Sequence, residues 1–299
     1  MLDIGIIGNG YHSKRIQKIL KKRKIKFFIY KPNNKDYFDK NKFNILKKKK
    51  IIFILSPNET HFKYIKILSK NRYIFCEKPP VNSKKDLNKL KNINKNKIYF
   101  NYNTRFSKLS DLIKIKDKFK LGKLVYANFM IGHGLALKKE YVKNWKSNKR
   151  LCPKGVFEIL SIHLIDLVNF HFKIKKIEKP SLINISKKGN SYDTSHIKLI
   201  LNENIIVDIF SSFSTPLLKR NTLIFENGKI EQDDESISIR GPALNLDKNY
   251  FFIKPKLIKK IYITDGQDYL KSLNKSVDYF LKVIKDKKHF KSSITNCSI

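Results

Sequence analysis

The sequence predicts an α/β chain in two parts: a parallel, alternately wound domain over residues 1–120, then an α+β domain over 121–299. Three observations carry this. Short apolar runs alternate with helical patterns through the first hundred residues, which implies a parallel sheet with right-handed crossovers. A glycine-rich turn follows the first run. After Tyr102 the rhythm changes to strand-like runs joined by hairpin-like turns.

In the first part, strands are expected at Leu2–Ile7, Ile25–Tyr30, Ile51–Leu55, Tyr73–Cys76 and Ile98–Tyr102. Helices are expected around Ser13–Leu20, Thr60–Lys70 and Ser83–Ile93. Ser83 with Asp86 three residues on reads as a capping box. A helix over Leu109–Phe119 stopping at Gly122 comes next, then a strand over Lys123–Met130 and the loop Gly132-His133-Gly134. Val156–Phe172 reads as a buried helix. Strands follow at Ser181–Ser186, His196–Leu201, Ile205–Phe213 and Asn221–Phe225, and a helix over Asp268–Lys285 has apolar residues at helical spacing.

Composition bounds the classes. Hydrophobic residues at 41% exclude a disordered chain despite 30% charged residues. Cys76, Cys152 and Cys297 form no CxxC pair, and the histidines are scattered, so neither a disulfide framework nor a metal site is expected. No run approaches a membrane span and the start lacks signal-peptide features, so a cytoplasmic location is expected. The net charge of +39 invites a nucleic-acid reading. The excess is almost all lysine, spread over every segment with no basic–aromatic recognition motif. Together with abundant asparagine and isoleucine it reads first as the bias of an AT-rich genome; a polyanion- or nucleic-acid-binding protein is the alternative that the charge alone suggests.

Gly8-Asn9-Gly10-Tyr11-His12-Ser13 lies between the first strand and a helix. In a dinucleotide-binding turn the first glycine permits the bend, the second admits the pyrophosphate, and the helix N-terminus offers amides and a positive dipole end. Ser13 stands at the third glycine position and is small enough to serve. The second strand ends in Tyr30-Lys31-Pro32, without the carboxylate that holds the ribose of NAD. Lys31 can pair with a 2′-phosphate, a lean toward NADP over NAD, or can be a surface residue.

Gly8–Arg15, Ser56-Pro57-Asn58-Glu59-Thr60-His61, Cys76-Glu77-Lys78-Pro79, Phe100–Phe106, Leu121-Gly122-Lys123 and Gly155–Asp166, in that order, resemble the glucose–fructose oxidoreductase / inositol dehydrogenase / MocA-like family along nearly the whole chain. The resemblance implies a Rossmann domain followed by an open, mixed, largely antiparallel sheet with helices. It implies hydride transfer between a nicotinamide cofactor and a hydroxyl-bearing carbon of a sugar, polyol or nucleotide sugar, in a homo-oligomer such as a dimer or tetramer.

By the same resemblance Gly8, Gly10, Tyr11, His12 and Lys31 bind the cofactor, Ser56, Pro57 and Asn58 line its nicotinamide ribose, and Glu77 meets the nicotinamide side. Lys78 hydrogen-bonds the reacting hydroxyl and helps move its proton, and His163 is the general base. Asp166 orients that ring or caps local polar groups. Arg105 supports an anionic substrate group or a domain interface, and His133 and Trp145 equally suit a sugar stacked on a ring or an ordinary packed loop. His61 is expected to open the next helix as a structural residue. One departure stands out: the family's aspartate four residues before the histidine is Ile159 here. Either Glu158 substitutes through a local distortion, or the chemistry is altered or lost, leaving a cofactor- or sugar-binding protein.

Overall fold

The computed structural model describes residues 2–32, 40–93, 96–242 and 246–290. Cys297 lies outside them. The chain groups into two compact units, one running to Asn103 and resuming at Leu273, the other Thr104–Ser272.

The first unit is built on five strands: β1 (Ile4–Ile7), β2 (Phe27–Tyr30), β3 (Ile51–Ile54), β4 (Tyr73–Cys76) and β5 (Ile98–Phe100). All pair in parallel in the order β2-β1-β3-β4-β5, with Ile4 beside both Phe27 and Ile51. β1 and β3 are buried along their whole length, as short apolar strands of a sheet covered on both faces must be. The crossovers are α1 (Tyr11–Lys22), α2 (Lys40–Lys48), α3 (His61–Leu68) and α4 (Lys84–Lys91). Ser83 caps α4: the Asp86 amide donates to Ser83 Oγ at 3.1 Å, and that hydroxyl, in place of the backbone amide a capping box would use, donates to the Asp86 carboxylate at 2.9 Å. The sequence reading has no α2, because Lys-Asn-Lys-Phe-Asn-Ile-Leu-Lys-Lys buries only Phe43 and Leu46 and its helical period is correspondingly faint.

The second unit opens with α5 (Lys108–Lys114) and β6 (Leu124–Gly132). The stretch expected as one regular helix over Val156–Phe172 is a π turn, Phe157–Ser161, running into α6 (Ile162–His171). The remaining strands are β7 (Ile174–Ile177), β8 (Ser181–Ile183), β9 (Thr194–Leu201), β10 (Ile206–Ser212), β11 (Leu218–Phe225), β12 (Gly228–Gln232), β13 (Ser236–Arg240) and β14 (Leu257–Tyr262). They form a mixed sheet in the order β14-β13-β12-β11-β6-β10-β9-β7, with β8 on β9. β6–β10 is its parallel pair and the other pairs are antiparallel. Phe129, Val207, Ile209, Ile197, Leu199, Leu223 and Ile230 alternate inward and are fully buried. Lysines at outward positions of β7 (Ile-Lys-Lys-Ile) and β14 (Leu-Ile-Lys-Lys-Ile-Tyr) mask the apolar runs, so the sequence reading has neither strand.

The last helix, α7 (Asp265–Lys285), starts in the second unit and ends in the first. Its Phe280 packs edge-on against Phe53 and Phe75, both at 5.3 Å, and stacks on Phe290 at 5.4 Å. The Ser276 hydroxyl lies 2.7 Å from the Tyr99 hydroxyl. These contacts tie the chain's end to the parallel sheet, whereas the sequence reading gave everything after residue 120 to the second domain.

Candidate active site

β1 runs directly into the glycine turn at the point where the sheet order reverses, between β1 and β3, which is where open α/β sheets hold ligands. Gly8 has φ +98°, and a Cβ there would lie 2.6 Å from the Leu55 carbonyl oxygen, so only glycine fits. Gly10 is the N-cap of α1, and a Cβ on it would meet nothing within 4 Å. Ser13 is buried and its hydroxyl donates to the Gly8 carbonyl at 2.9 Å, while Gln17 Nε2 donates to Asn9 Oδ1 and to Ser13 Oγ. The serine in the third glycine's place thus fixes the turn. The first turn of α1 carries no acid and no side-chain cap. These uncapped amides, with open space over Gly10, suit a pyrophosphate. Tyr11 stands exposed beside them, and Lys31 is exposed at the end of β2.

At the end of β3, Ser56 Oγ lies 2.6 Å from Thr60 Oγ1, and Asn58 Nδ2 is buried with no hydrogen-bond partner among the described residues. Such a donor fits a polar cofactor group. At the end of β4, Glu77 Oε1 lies 2.6 Å from His12 Nε2 and accepts from Asn101 Nδ2 at 2.6 Å. Burial alone would push this carboxyl up. His12, Asn101 and Lys78 together outweigh it and hold the carboxyl down at about 2, so Glu77 is a carboxylate throughout the physiological range. Lys78 follows on the same turn, half-buried.

His61 opens α3, as expected, and is completely buried. Its Nδ1 is 2.7 Å from the Pro79 carbonyl oxygen and its Nε2 is 2.8 Å from that of Ser56. The ring links the turn after Lys78 to the turn before Asn58. Burial lowers its pKa; the two carbonyls, Glu77 and Glu59 act in the opposite direction.

In the second unit, His163 sits in the first turn of α6, and its carbonyl accepts from the Thr104 hydroxyl at 3.2 Å. Asp166, one turn on, is taken by Arg105: Nε and Nη2 donate to its two oxygens at 2.7 and 2.5 Å. The Arg105 guanidinium also lies 5.1 Å over the Phe170 ring. Burial raises the Asp166 carboxyl and the arginine fork offsets part of that. Two residues with separate roles in the sequence reading, one for an anionic substrate group and one for orienting a histidine, are therefore partners of each other. Ile159 belongs to an apolar cluster with Ala136, Tyr141, Cys152, Val156 and Phe213. Glu158 is buried in the π turn, with Lys154 N donating to its Oε1 at 3.4 Å.

His133 lies 5.0 Å from the Phe213 ring, and Trp145 packs on the same cluster. Lys146 Nζ sits 5.5 Å over Phe213, and its pKa is lowered by burial. The His133 pKa is lowered too, by burial and by Lys146. Lys146 and Asn101 join the candidate residues from the structure alone. Lys146 has no sequence signal, being a lysine in a lysine-rich chain; Asn101 falls in the Phe100–Phe106 stretch of the resemblance, but its bond to Glu77 needs two strand ends to meet in space. Among the described residues no group of three His, Cys, Asp or Glu side chains could hold a metal ion, and no helix is long and apolar enough to cross a membrane.

No protein-family model and no curated protein matches the chain. Solved structures match over nearly its full length. Levoglucosan dehydrogenase, in complex with NADH and levoglucosan, superposes with a TM-score of 0.80 at 14% identity, covering 99% of this chain and 93% of that one. An oxidoreductase from Agrobacterium radiobacter, in complex with NAD+, L-tartaric acid and magnesium, gives 0.75 at 13%, covering 99% and 92%. A myo-inositol dehydrogenase from Corynebacterium glutamicum gives 0.73 at 15%, covering 100% and 92%. The parallel five-stranded unit and the mixed nine-stranded unit are thus the two domains of a known architecture: this chain has the fold of the glucose–fructose oxidoreductase / inositol dehydrogenase / MocA-like oxidoreductases.

Proposed function

We propose that the protein is an NAD(P)-dependent oxidoreductase acting on a CH–OH group of a sugar, polyol or nucleotide sugar. The observation that carries this reading is the turn over Gly8–Gly10: a left-handed first glycine, an open second one and an uncapped helix N-terminus at the β1/β3 reversal. The similar proteins in complex with NADH or NAD+ support a nicotinamide cofactor. Lys31 favours a 2′-phosphate on it.

When bound, the dinucleotide supplies the hydride acceptor or donor. The amides of α1 hold the pyrophosphate. Asn58 Nδ2 and Ser56 hold the ribose on the nicotinamide side, and Glu77, fixed by His12 and Asn101, sets the edge of the nicotinamide site. By the family resemblance, Lys78 would donate a hydrogen bond to the oxygen of the reacting hydroxyl, and His163 would take the hydroxyl proton as general base while the hydride leaves the carbon. His133 and Trp145, packed with Lys146 around Phe213, are the candidates to stack on the sugar.

The π turn bears on Ile159. The Ile162 amide reaches back five residues to the Phe157 carbonyl, so the turn ahead of His163 is one residue wider than an α-helical one. A wider turn brings the residue five back, Glu158, toward the register that Ile159 would hold in a regular helix. This favours Glu158 as the carboxylate accompanying His163. The competing reading is a binding protein without turnover, favoured by Ile159 in its apolar cluster. A homo-oligomer formed through the open face of the mixed sheet completes the proposal. The test is dinucleotide reduction by purified protein across a panel of sugars and polyols. Turnover that is absent in Lys78→Met supports the enzyme; dinucleotide binding with no turnover on any of them supports the binding protein.

A further inference from the structure

Residues 246–262 present an exposed aromatic and basic surface that the proposed chemistry does not use. Leu246 bridges to Phe252, and Asp247 closes the turn between them: its carboxylate accepts the amides of Asn249 and Phe251 at 2.8 and 3.0 Å, and its own amide donates to the Phe251 carbonyl at 2.9 Å. Tyr250 is held at φ +64°, a left-handed conformation rare for a bulky side chain. The turn is therefore a formed structure, and it holds Tyr250, Phe251 and Phe252 outward at 82%, 69% and 89% exposure. The chain continues through Ile253 into β14, the edge of the mixed sheet, where Leu257, Ile258 and Tyr262 are also exposed.

Lys248, Lys254, Lys256, Lys259 and Lys260 are exposed along this segment, whose one acid is Asp247; Lys260 is also within electrostatic reach of Asp233. Soluble surfaces rarely leave three neighbouring aromatics in water. Aromatic and aliphatic side chains rimmed by lysine match a bilayer interface, where rings enter the headgroup region and lysines meet anionic lipid.

We propose that this arm docks the protein onto an anionic membrane surface, with Tyr250, Phe251 and Phe252 entering the interface and the flanking Lys248, Lys254 and Lys256 contacting lipid headgroups. The absence of a spanning helix concerns crossing a bilayer, not lying on one.

The experiment is sedimentation of the full chain with phosphatidylcholine vesicles containing phosphatidylglycerol, and with phosphatidylcholine alone. Wild type should bind the anionic vesicles. The triple variant Tyr250→Ser, Phe251→Ser, Phe252→Ser keeps the net charge and should bind about tenfold or more weakly. Each of these three lysines changed to Gln should weaken binding by up to about fivefold. Phe252→Trp should be quenched by brominated lipid in the anionic vesicles, a readout independent of how the triple variant folds. Equal binding by wild type and a folded triple variant, with no quenching of Phe252→Trp, would overturn the proposal, since overall charge would then explain the attraction. So would self-association of wild type that the triple variant loses, without vesicle binding.

Discussion

The carboxylate of Glu77, at the end of β4, lies 2.6 Å from the imidazole of His12, in the first turn of α1. That contact joins the phosphate-binding helix to the turn that carries Lys78, and Asn101 extends it to Ser276 on α7. Four segments far apart in sequence are held in one chain of hydrogen bonds.

The Glu77 carboxyl is depressed from 4.5 to about 2. A carboxylate depressed on folding contributes stability above its unfolded pKa and loses it as pH falls through the folded value. The contribution is complete above about pH 4.5 and disappears between there and pH 2, with a size on the order of 2–3 kcal/mol. Urea unfolding of Glu77→Gln should show lower stability than wild type at pH 7 and a difference that shrinks as pH falls toward 3. A constant difference across that range would mean the charge of Glu77 is not what matters.

The two glycines of the turn should separate fold from binding. Gly8→Ala forces a side chain into a left-handed residue and against the Leu55 carbonyl, and should cost about 2 kcal/mol or more. Gly10→Ala meets no atom of the protein, so melting should stay near wild type while dinucleotide affinity falls at least about tenfold. Unchanged affinity in Gly10→Ala would remove the turn from the cofactor site.

Arg105 and Asp166 form a buried, two-pronged ion pair. Removing one partner strands the other charge, so Arg105→Met or Asp166→Leu alone should destabilise by about 3–5 kcal/mol, while the two together should recover most of the loss. Denaturant unfolding of the two singles and the double checks this. Additive losses in the double would show that the pair is not coupled.

Lys78→Met should abolish turnover and leave dinucleotide affinity within a few-fold, and His163→Asn should remove the base limb of the pH–rate profile. Glu158→Gln should lower kcat with the fold intact, whereas Ile159→Val should leave kcat unchanged. The opposite ranking would show that the π turn does not bring Glu158 into play.

The sequence foretold the parallel half well, because its strands are short apolar runs buried on both faces and its turn needs glycine at Gly8. It foretold the mixed sheet less completely. Lysines at outward positions of β7 and β14 hide the alternation, and the partnership of Phe280 with Phe53 and Phe75 is a long-range fact with no local signature. The same limit applies at the site. His61 reads from sequence as a helix-opening residue, but its double link to Ser56 and Pro79 depends on two loops meeting in space. The substitution of Ile159 and the option of a local distortion at Glu158 were visible in the sequence, but the π form of the turn over Phe157–Ser161 was not.

The measurement that tests the central claim most directly is calorimetric titration of the full chain with NAD(H) and NADP(H) at moderate and high salt, alongside Lys31→Asp. The account predicts saturable, micromolar binding of one dinucleotide that survives high salt, and a shift of preference toward NAD in Lys31→Asp. Binding that disappears with salt, or that does not distinguish a dinucleotide from other polyanions, would mean that the net charge of +39 does the attracting, and would contradict it.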